Sequence, residues 1–495
     1  MLDWSVLLWF EWLITAVYFM ALIFIFLYSL TQLNLVIQYR RKRKPKPIYK
    51  ELEHWPMVTV QLPLYNERYV ADRLIDTVAQ LDYPTERLEI QVLDDSTDET
   101  SEIVARAKAK WRKQGIWINV IHRTNRGGFK AGALAHGLKR AKGSFIAIFD
   151  ADFLPTKDFL KQTIPHFSDE SVGVVQSRWA HLNQDFSMLT TLQAFGLDAH
   201  FTVEQTGRNE SNFFINFNGT AGVWRKSTIV DAGGWSSDTL TEDLDLSYRA
   251  QLKGWKFVFR EDIASPAELP VAMKALKTQQ YRWTKGAAEC TVKNLRKVLF
   301  NQRLAPDIKF HALFHLMNSF VFICVILASI LSVPMLFIKH KLQADAWLLA
   351  GGSIFLLSLV FLILFYWTSF KSLHPKLGVL TFSKRFLLFL SMSMGLSLHN
   401  SIAVFEGYIG RKTPFVRTPK FNLDASNVGW KSNVYIGRSI GWLTILEILL
   451  AFFFAYAVVQ GIIFKDYGLI PFHVMLVFGF SMIGGLSLKH ALVSR

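Results

Sequence analysis

Hydrophobic positions along the chain fall into two patterns. Residues 10–35, FEWLITAVYFMALIFIFLYSLTQLNL, form one continuous apolar run, long enough to cross a hydrocarbon core of ~30 Å. No small-residue cleavage site follows it, so it is expected to be an anchor and not a removable signal. Four similar runs lie near 310–337, 346–367, 440–464 and 469–488. A further apolar stretch, 386–410, is interrupted by Gly395 and Gly407 and carries His399, Asn400 and Glu406, which are costly in lipid. It reads as an interfacial or re-entrant helix, giving five spans with the N-terminus outside.

Between residues 50 and 300 the pattern changes. Short β-branched or apolar runs at 57–64, 88–93, 117–121, 144–149 and 172–177 alternate with helical stretches such as 67–80, 98–113 and 130–141. That alternation predicts an α/β domain with a mostly parallel sheet covered on both faces. Four parts are expected: an anchor with its flank (1–48), the α/β domain (49–268), amphipathic interface helices (269–305) and a membrane region (306–495) with a loop-bearing segment at 383–436.

Composition narrows the class. At 51% hydrophobic over 495 residues the chain must meet lipid. Its net charge of +16 raises the question of a nucleic-acid partner. The densest basic run, RRKRKPK at 40–46, directly follows the first apolar run, and the positive-inside rule accounts for it, placing the α/β domain in the cytoplasm. Two cysteines, Cys290 and Cys324, offer neither a disulfide framework nor a metal-ligand spacing.

The chemistry-bearing residues sit at strand ends, where ligands of such sheets bind. Asp94 and Asp95 follow the run 88–93, and Asp150 and Asp152 follow 144–149. Either pair alone reads equally as helix capping, and Ser96 to Glu99 has the pattern of a capping box. Two acidic pairs at one sheet edge point instead to a bound cation, and an Asp-x-Asp turn suits Mg2+ shared with a phosphorylated ligand. Glu242 and Asp243 in TEDLDL and Gln279, Arg282 and Trp283 in QQYRW are individually weak signals, an ordinary helix start and an ordinary membrane-interface anchor.

Taken together, QLPLYNE, QVLDDSTD, GFKAGAL, IFDADF, FNGTAG, GGWSSDTLTEDLDL, LKGWKF and QQYRW, followed by apolar spans, resemble the processive inverting family 2 glycosyltransferases of the cellulose synthase superfamily. The closest likeness is to glucomannan and xyloglucan-backbone synthases and their bacterial relatives. FVRTPK at 415–420 resembles their gating loop, with Arg417 where valine is expected and Phe415, Thr418 and Lys420 matching. The resemblance implies a GT-A fold, Rossmann-like, joined to an α-helical membrane domain. It implies that Tyr65, Glu67, Asp94 and Asp95 hold the nucleoside of the donor and that Asp150 and Asp152 hold Mg2+ or Mn2+ against the diphosphate. Lys130, Gln279 and Arg282 would assist there. Asp243, with Glu242 beside it, would be the general base. Trp283, Phe217, Asn218, Gly219 and Thr220 would line the acceptor site.

The expected function is processive hexose transfer from a nucleotide sugar, UDP-glucose favoured, to a β-linked polysaccharide acceptor, with extrusion across the membrane. Use of GDP-mannose in β-mannan or glucomannan synthesis is the alternative, and transfer to a lipid acceptor is another. A nucleotide-regulated transporter fits poorly, because five spans show no internal repeat. Phe213, Phe214, Trp224 and Trp235 are expected to be packing residues before sugar platforms, and Glu447 and Ser329 to serve helix packing or a pore. The implied setting is a multi-pass protein of the plasma (inner) membrane or a Golgi-type membrane. Accessory subunits are possible partners, and no RxxxR cyclic-dinucleotide module is read after residue 490.

Overall fold

The computed structural model describes residues 4–41, 52–342, 345–422 and 441–493. Most of the basic run at 40–46, the end of the loop segment towards 436 and the last two residues lie outside the described residues.

Among the described residues, seven strands form one mixed sheet: β1 (Val58–Leu64), β2 (Leu88–Asp94), β3 (Ile118–His122), β4 (Phe145–Ile148), β5 (Val172–His181), β6 (Gly222–Arg225) and β7 (Lys256–Ala267). Their order is β3-β2-β1-β4-β6-β5-β7. The pairs β1/β2, β2/β3, β1/β4 and β5/β7 are parallel, whereas β6 runs antiparallel to both neighbours. The burial pattern of β1 explains its central place: every residue but Pro63 is buried, as expected for a strand covered on both faces. The five expected strands are present. β6 and β7 were not expected, since β6 is only four residues long and β7 alternates buried and partly exposed positions among charged residues. Alongside β7, β5 continues to His181, four residues past its apolar core.

Among the described residues, five helices are long and apolar enough to cross a membrane: Trp9–Arg41, Pro306–Lys341, Leu356–Leu373, Trp442–Ile463 and Ile470–Leu492. The pair Val379–Gly395 and Ser397–Tyr408 is bent by 49°. Two of its polar residues, His399 and Glu406, meet the long helix Met273–Leu299. His399 Nε2 donates to the Lys277 carbonyl at 2.9 Å, and Glu406 accepts from the Tyr281 hydroxyl.

That long helix couples the two halves of the protein. Lys277 donates to Glu447 at 2.7 Å and to Ser487 at 2.9 Å, on the two C-terminal membrane helices. Glu447 therefore acts as an inter-helix tie, its side chain fully buried. Ser329 is likewise fully buried among packed helices. Removing one partner of a buried ion pair strands the other charge, at about 3–5 kcal/mol. Glu447→Ala should lower the thermal midpoint of the detergent-solubilised protein by several degrees, and adding Lys277→Met should recover most of that loss.

Candidate active site

The strand order reverses between β1 and β4, which are themselves parallel, with β2 and β3 on one side and β4 on the other. At such a switch point the loops leave the strands in opposite senses and open a crevice. Here it is a cavity of about 190 Å3, whose walls include Tyr65 and Glu67 after β1, Asp95 after β2 and Asp150 and Asp152 after β4. The residues Gln279, Arg282 and Trp283 of the Met273–Leu299 helix close it on the membrane side.

Two lysines neutralise the Asp-x-Asp turn. Lys130 Nζ lies 2.6 Å from Asp150 Oδ1 and 3.9 Å from Glu242, and it donates to the Gly219 carbonyl at 2.9 Å. Burial pulls the Lys130 ammonium down, but the carboxylates of Asp150 and Glu242 outweigh that and hold it above its ordinary value. Lys420 Nζ lies 2.7 Å from Asp152 Oδ2. The turn itself is pinned from behind: Asp150 N–H donates to the Thr220 hydroxyl at 2.8 Å, and Leu154 N–H to the Pro266 carbonyl at 2.9 Å. Lys130 is aimed by an unusual backbone. Phe129 before it has φ +49°, a strained value for a bulky residue, and its ring stacks on Phe415 with centroids 5.7 Å apart.

Asp243 enters the same cavity from the first turn of the helix Glu242–Leu252. Its Oδ1 accepts from the Leu244 N–H at 2.8 Å. Burial, and after it the Glu242 charge, push the Asp243 carboxyl well above the ordinary aspartate range, and burial likewise raises Glu242. Gly219 makes the approach possible: a Cβ there would stand 2.8 Å from Asp243 Oδ2, and its φ of +81° suits only glycine. Gly286 plays the matching part on the long helix, where a Cβ would meet the Thr241 side chain at 2.5 Å. Thr241 of the TED motif is thereby packed directly on the long helix, three residues past QQYRW.

The segment 413–422 lies over the cavity. Arg282 donates to the Thr418 hydroxyl at 2.9 Å, and its guanidinium sits 4.7 Å from the Phe415 ring centre. Arg417, the residue out of pattern, pairs with Glu67 at 2.6 Å. Burial pushes the Glu67 carboxyl up to about 7 despite the Arg417 charge. Glu268, after β7, accepts from the backbone N–H groups of Phe421 and Asn422, each at 3.0 Å. Its other oxygen holds Arg73 at 2.6 Å.

At the far end Asp95 is gripped by Arg123, whose Nε donates at 2.8 Å, and the Arg126 guanidinium covers one face of Tyr65 at 3.1 Å. Near the membrane Trp283 faces Trp179, ring centres 6.4 Å apart, and Trp179 stacks on Phe201 at 4.7 Å. His181, paired with Asp198 at 3.1 Å, lines the same end.

Three candidates do not reach the cavity lining and are corrected here. Asp94 turns into its own loop, accepting from Ser96 N–H at 2.9 Å and the Ser101 hydroxyl at 2.6 Å. Ser96 in turn accepts from Asn66 N–H, so no capping box forms at Ser96 to Glu99. Phe217 is fully buried against Trp224 and Trp235. Thr220 is fully buried behind Asp150. Phe213 stacks on His311 and Phe214 packs on Tyr248, so with the two tryptophans they serve packing. Conversely, Arg123, Arg126, Phe129, Trp179, His181 and Glu268 were not singled out in the sequence. The first two had a signal, since HRTNRGG stands at the end of β3.

The carboxylate set fits a divalent cation shared with a ligand. Asp152 Oδ1 is buried and has no hydrogen-bond partner. Among the described residues no third His, Cys, Asp or Glu completes a metal cage. Two carboxylates with the remaining positions left to phosphate and water is the arrangement Mg2+ prefers.

A glycosyltransferase-like family 2 profile matches residues 56–286. Glucomannan 4-beta-mannosyltransferase 7 of Arabidopsis thaliana is 38% identical over 336 residues, covering 62% of this chain and 60% of that relative's length. The chain thus spans less than two thirds of it. Glucomannan 4-beta-mannosyltransferase 9 of the same plant is 35% identical over 401 residues, 77% of this chain and 71% of its own length. Among solved structures, the mannosyltransferase PcManGT from Pyrobaculum calidifontis in complex with GDP-Man and Mn2+ aligns with a TM-score of 0.51 at 21% identity, covering 74% of this chain and 99% of that one. It shares the GT-A fold. With the TED and QQYRW motifs lining one cavity with the Asp-x-Asp turn, the profile match and a relative 35% identical that is covered over 71% of its own length, the chain belongs to the family 2 glycosyltransferases.

Proposed function

We propose that the protein transfers mannose from GDP-mannose to the 4-hydroxyl of a growing β-linked mannan or glucomannan, with inversion at the anomeric carbon. The observation that carries this reading is the meeting of one raised, proton-accepting carboxylate, Asp243, with two cation-neutralised carboxylates in one cavity. The sequence alone favoured UDP-glucose. The relatives named as glucomannan mannosyltransferases move the preference to GDP-mannose.

Each role follows from chemistry. Asp243 takes the proton of the acceptor hydroxyl as that oxygen attacks the anomeric carbon, which works best when the carboxylate is a stronger base than a free aspartate. Asp150 and Asp152 would hold Mg2+ or Mn2+, which supplies charge neutralisation for the departing nucleoside diphosphate. Lys130 and Arg282 present cations to the same diphosphate, and Lys420 approaches from the loop. No second acid is required, because a diphosphate so held leaves unprotonated. Glu67, Asp95 and Tyr65 face the nucleoside. Trp283 and Trp179 offer aromatic faces to the C–H side of the acceptor pyranose. The five apolar helices and the bent pair would anchor the site at the bilayer and pass the polymer through it, with the sheet domain in the compartment that supplies the nucleotide sugar.

The test is incubation of membranes carrying the protein with radiolabelled GDP-mannose or UDP-glucose and Mn2+, followed by digestion with β-mannanase or β-glucanase. Mannanase-sensitive polymer from GDP-mannose is the expected result; glucanase-sensitive polymer from UDP-glucose, or a single-sugar glycolipid, contradicts it. Asp243→Asn should abolish turnover while GDP affinity stays within about twofold of wild type. Because protonated Asp243 cannot act as a base, log(kcat/KM) should fall with acid, and the raised carboxyl places that limb well above the free-aspartate value of about 4. Gly219→Ala, which crowds Asp243, should cut kcat at least about tenfold, the scale of a displaced general base, with nucleotide binding retained.

A further inference from the structure

Asn218 lines the cavity beside Gly219, and its side-chain amide is held in one orientation by a chain of hydrogen bonds whose polarity can be read end to end. Gln205 Nε2 lies 3.1 Å from the backbone carbonyl oxygen of Asn216, which can only accept. The nitrogen of the Gln205 amide therefore faces this cluster. The same nitrogen is 2.8 Å from Asn218 Oδ1, which must be the acceptor. Asn218 Nδ2 then donates to His200 Nε2 at 3.0 Å. A ring nitrogen that accepts carries no proton, so the imidazole proton sits on Nδ1, where Glu204 Oε2 receives it at 2.9 Å. The other oxygen of Glu204 accepts from Arg208 Nε at 3.2 Å, and Arg208, 1% exposed, is buried against the carbonyl of His311. The Asn218 backbone is fixed as well, its N–H donating to Gln176 Oε1 at 3.1 Å.

Local structure supports a dedicated arrangement. His200 to Glu204 form a single π turn between the helices Met188–Ala199 and Gln205–Glu210, an insertion that recurs at functional positions. His200, Glu204 and Gln205 do not line the cavity themselves. Of the two Nδ2 protons on Asn218, one is committed to His200 and the other remains for a ligand.

We propose that His200, Glu204 and Gln205 are positioning residues that hold Asn218 as a hydrogen-bond donor towards a hydroxyl oxygen of the acceptor sugar. This rests on the reading of that wall as the acceptor site. A reversed amide would present an acceptor instead and select a different pattern of hydroxyl donors.

Full-length enzyme in nanodiscs, with GDP-mannose as donor and β-1,4-mannotetraose as acceptor, provides the test. His200→Leu removes the lone pair that receives Asn218, whereas His200→Gln supplies a side-chain oxygen that can replace it. The leucine variant should raise the acceptor KM about tenfold, the scale of one hydrogen bond to a ligand, with the donor KM and thermal midpoint close to wild type. The glutamine variant should recover most of the loss. Should the leucine variant fail to fold, Gln205→Glu, which turns the terminal donor into an acceptor, should raise the acceptor KM in the same selective way. An unchanged acceptor KM, equal behaviour of His200→Leu and His200→Gln, or an equal rise in donor KM overturns the proposal while leaving the transferase reading intact. Absence of transfer by the wild type from any nucleotide sugar sinks that reading, and this proposal with it.

Discussion

Carboxylates cannot be gathered in a half-buried cavity unless something positive is gathered with them, and that constraint organises this protein. Asp150, Asp152, Glu242, Asp243, Glu67 and Asp95 converge on one crevice. They are met by Lys130, Lys420, Arg282, Arg417 and Arg123, drawn from a helix start, the covering segment, the long interface helix and the end of β3. At effective dielectric constants near 20, charges about 4 Å apart interact by about 4 kcal/mol, so unpaired members of such a set would repel one another strongly. Asp243 has no ion pair among the described residues, and burial, followed by the Glu242 charge, raises its carboxyl.

The geometry that brings these groups together is layered. The switch point between β1 and β4 supplies the first three acidic loops. The helix Met273–Leu299 supplies the wall on the membrane side and is itself held by Glu447 and by the bent helix pair. The apolar helices and the cavity are therefore joined through one helix, on which Lys277 precedes Arg282 and Trp283 by less than two turns. The segment 413–422 closes the remaining side by placing one cation on each of two carboxylates, Arg417 on Glu67 and Lys420 on Asp152.

Much of this was legible in the sequence because it depends on period and position. Apolar runs gave the five spans, β-branched runs gave β1 to β5, and acidic residues at strand ends marked the cavity. What the sequence hid depends on long-range pairing. β6 is only four residues long and β7 mixes its apolar positions with charged ones, so the extension of β5 that carries Trp179 and His181 was hidden. Asp94 and Asp95 look equivalent on paper, yet the alternation of a strand sends one into the loop behind and the other into the cavity. Phe217 and Thr220 share a motif with Asn218 and Gly219, but that stretch is a bend outside the strands in which Gly219 has φ +81°, so two residues are buried in the core and two line the cavity. The role of Arg417 was invisible until Glu67, distant in sequence, appeared beside it.

On the proposed reading, Asp150 and Asp152 would hold a divalent cation that neutralises the nucleoside diphosphate. Calorimetric titration of the purified protein with GDP, in the presence and absence of Mn2+, tests that directly when wild type is compared with Asp152→Asn. The expected result is GDP binding by wild type that strengthens at least about tenfold with Mn2+, a gain that the variant loses. Equal affinity with and without the metal, or an undiminished gain in Asp152→Asn, contradicts the account.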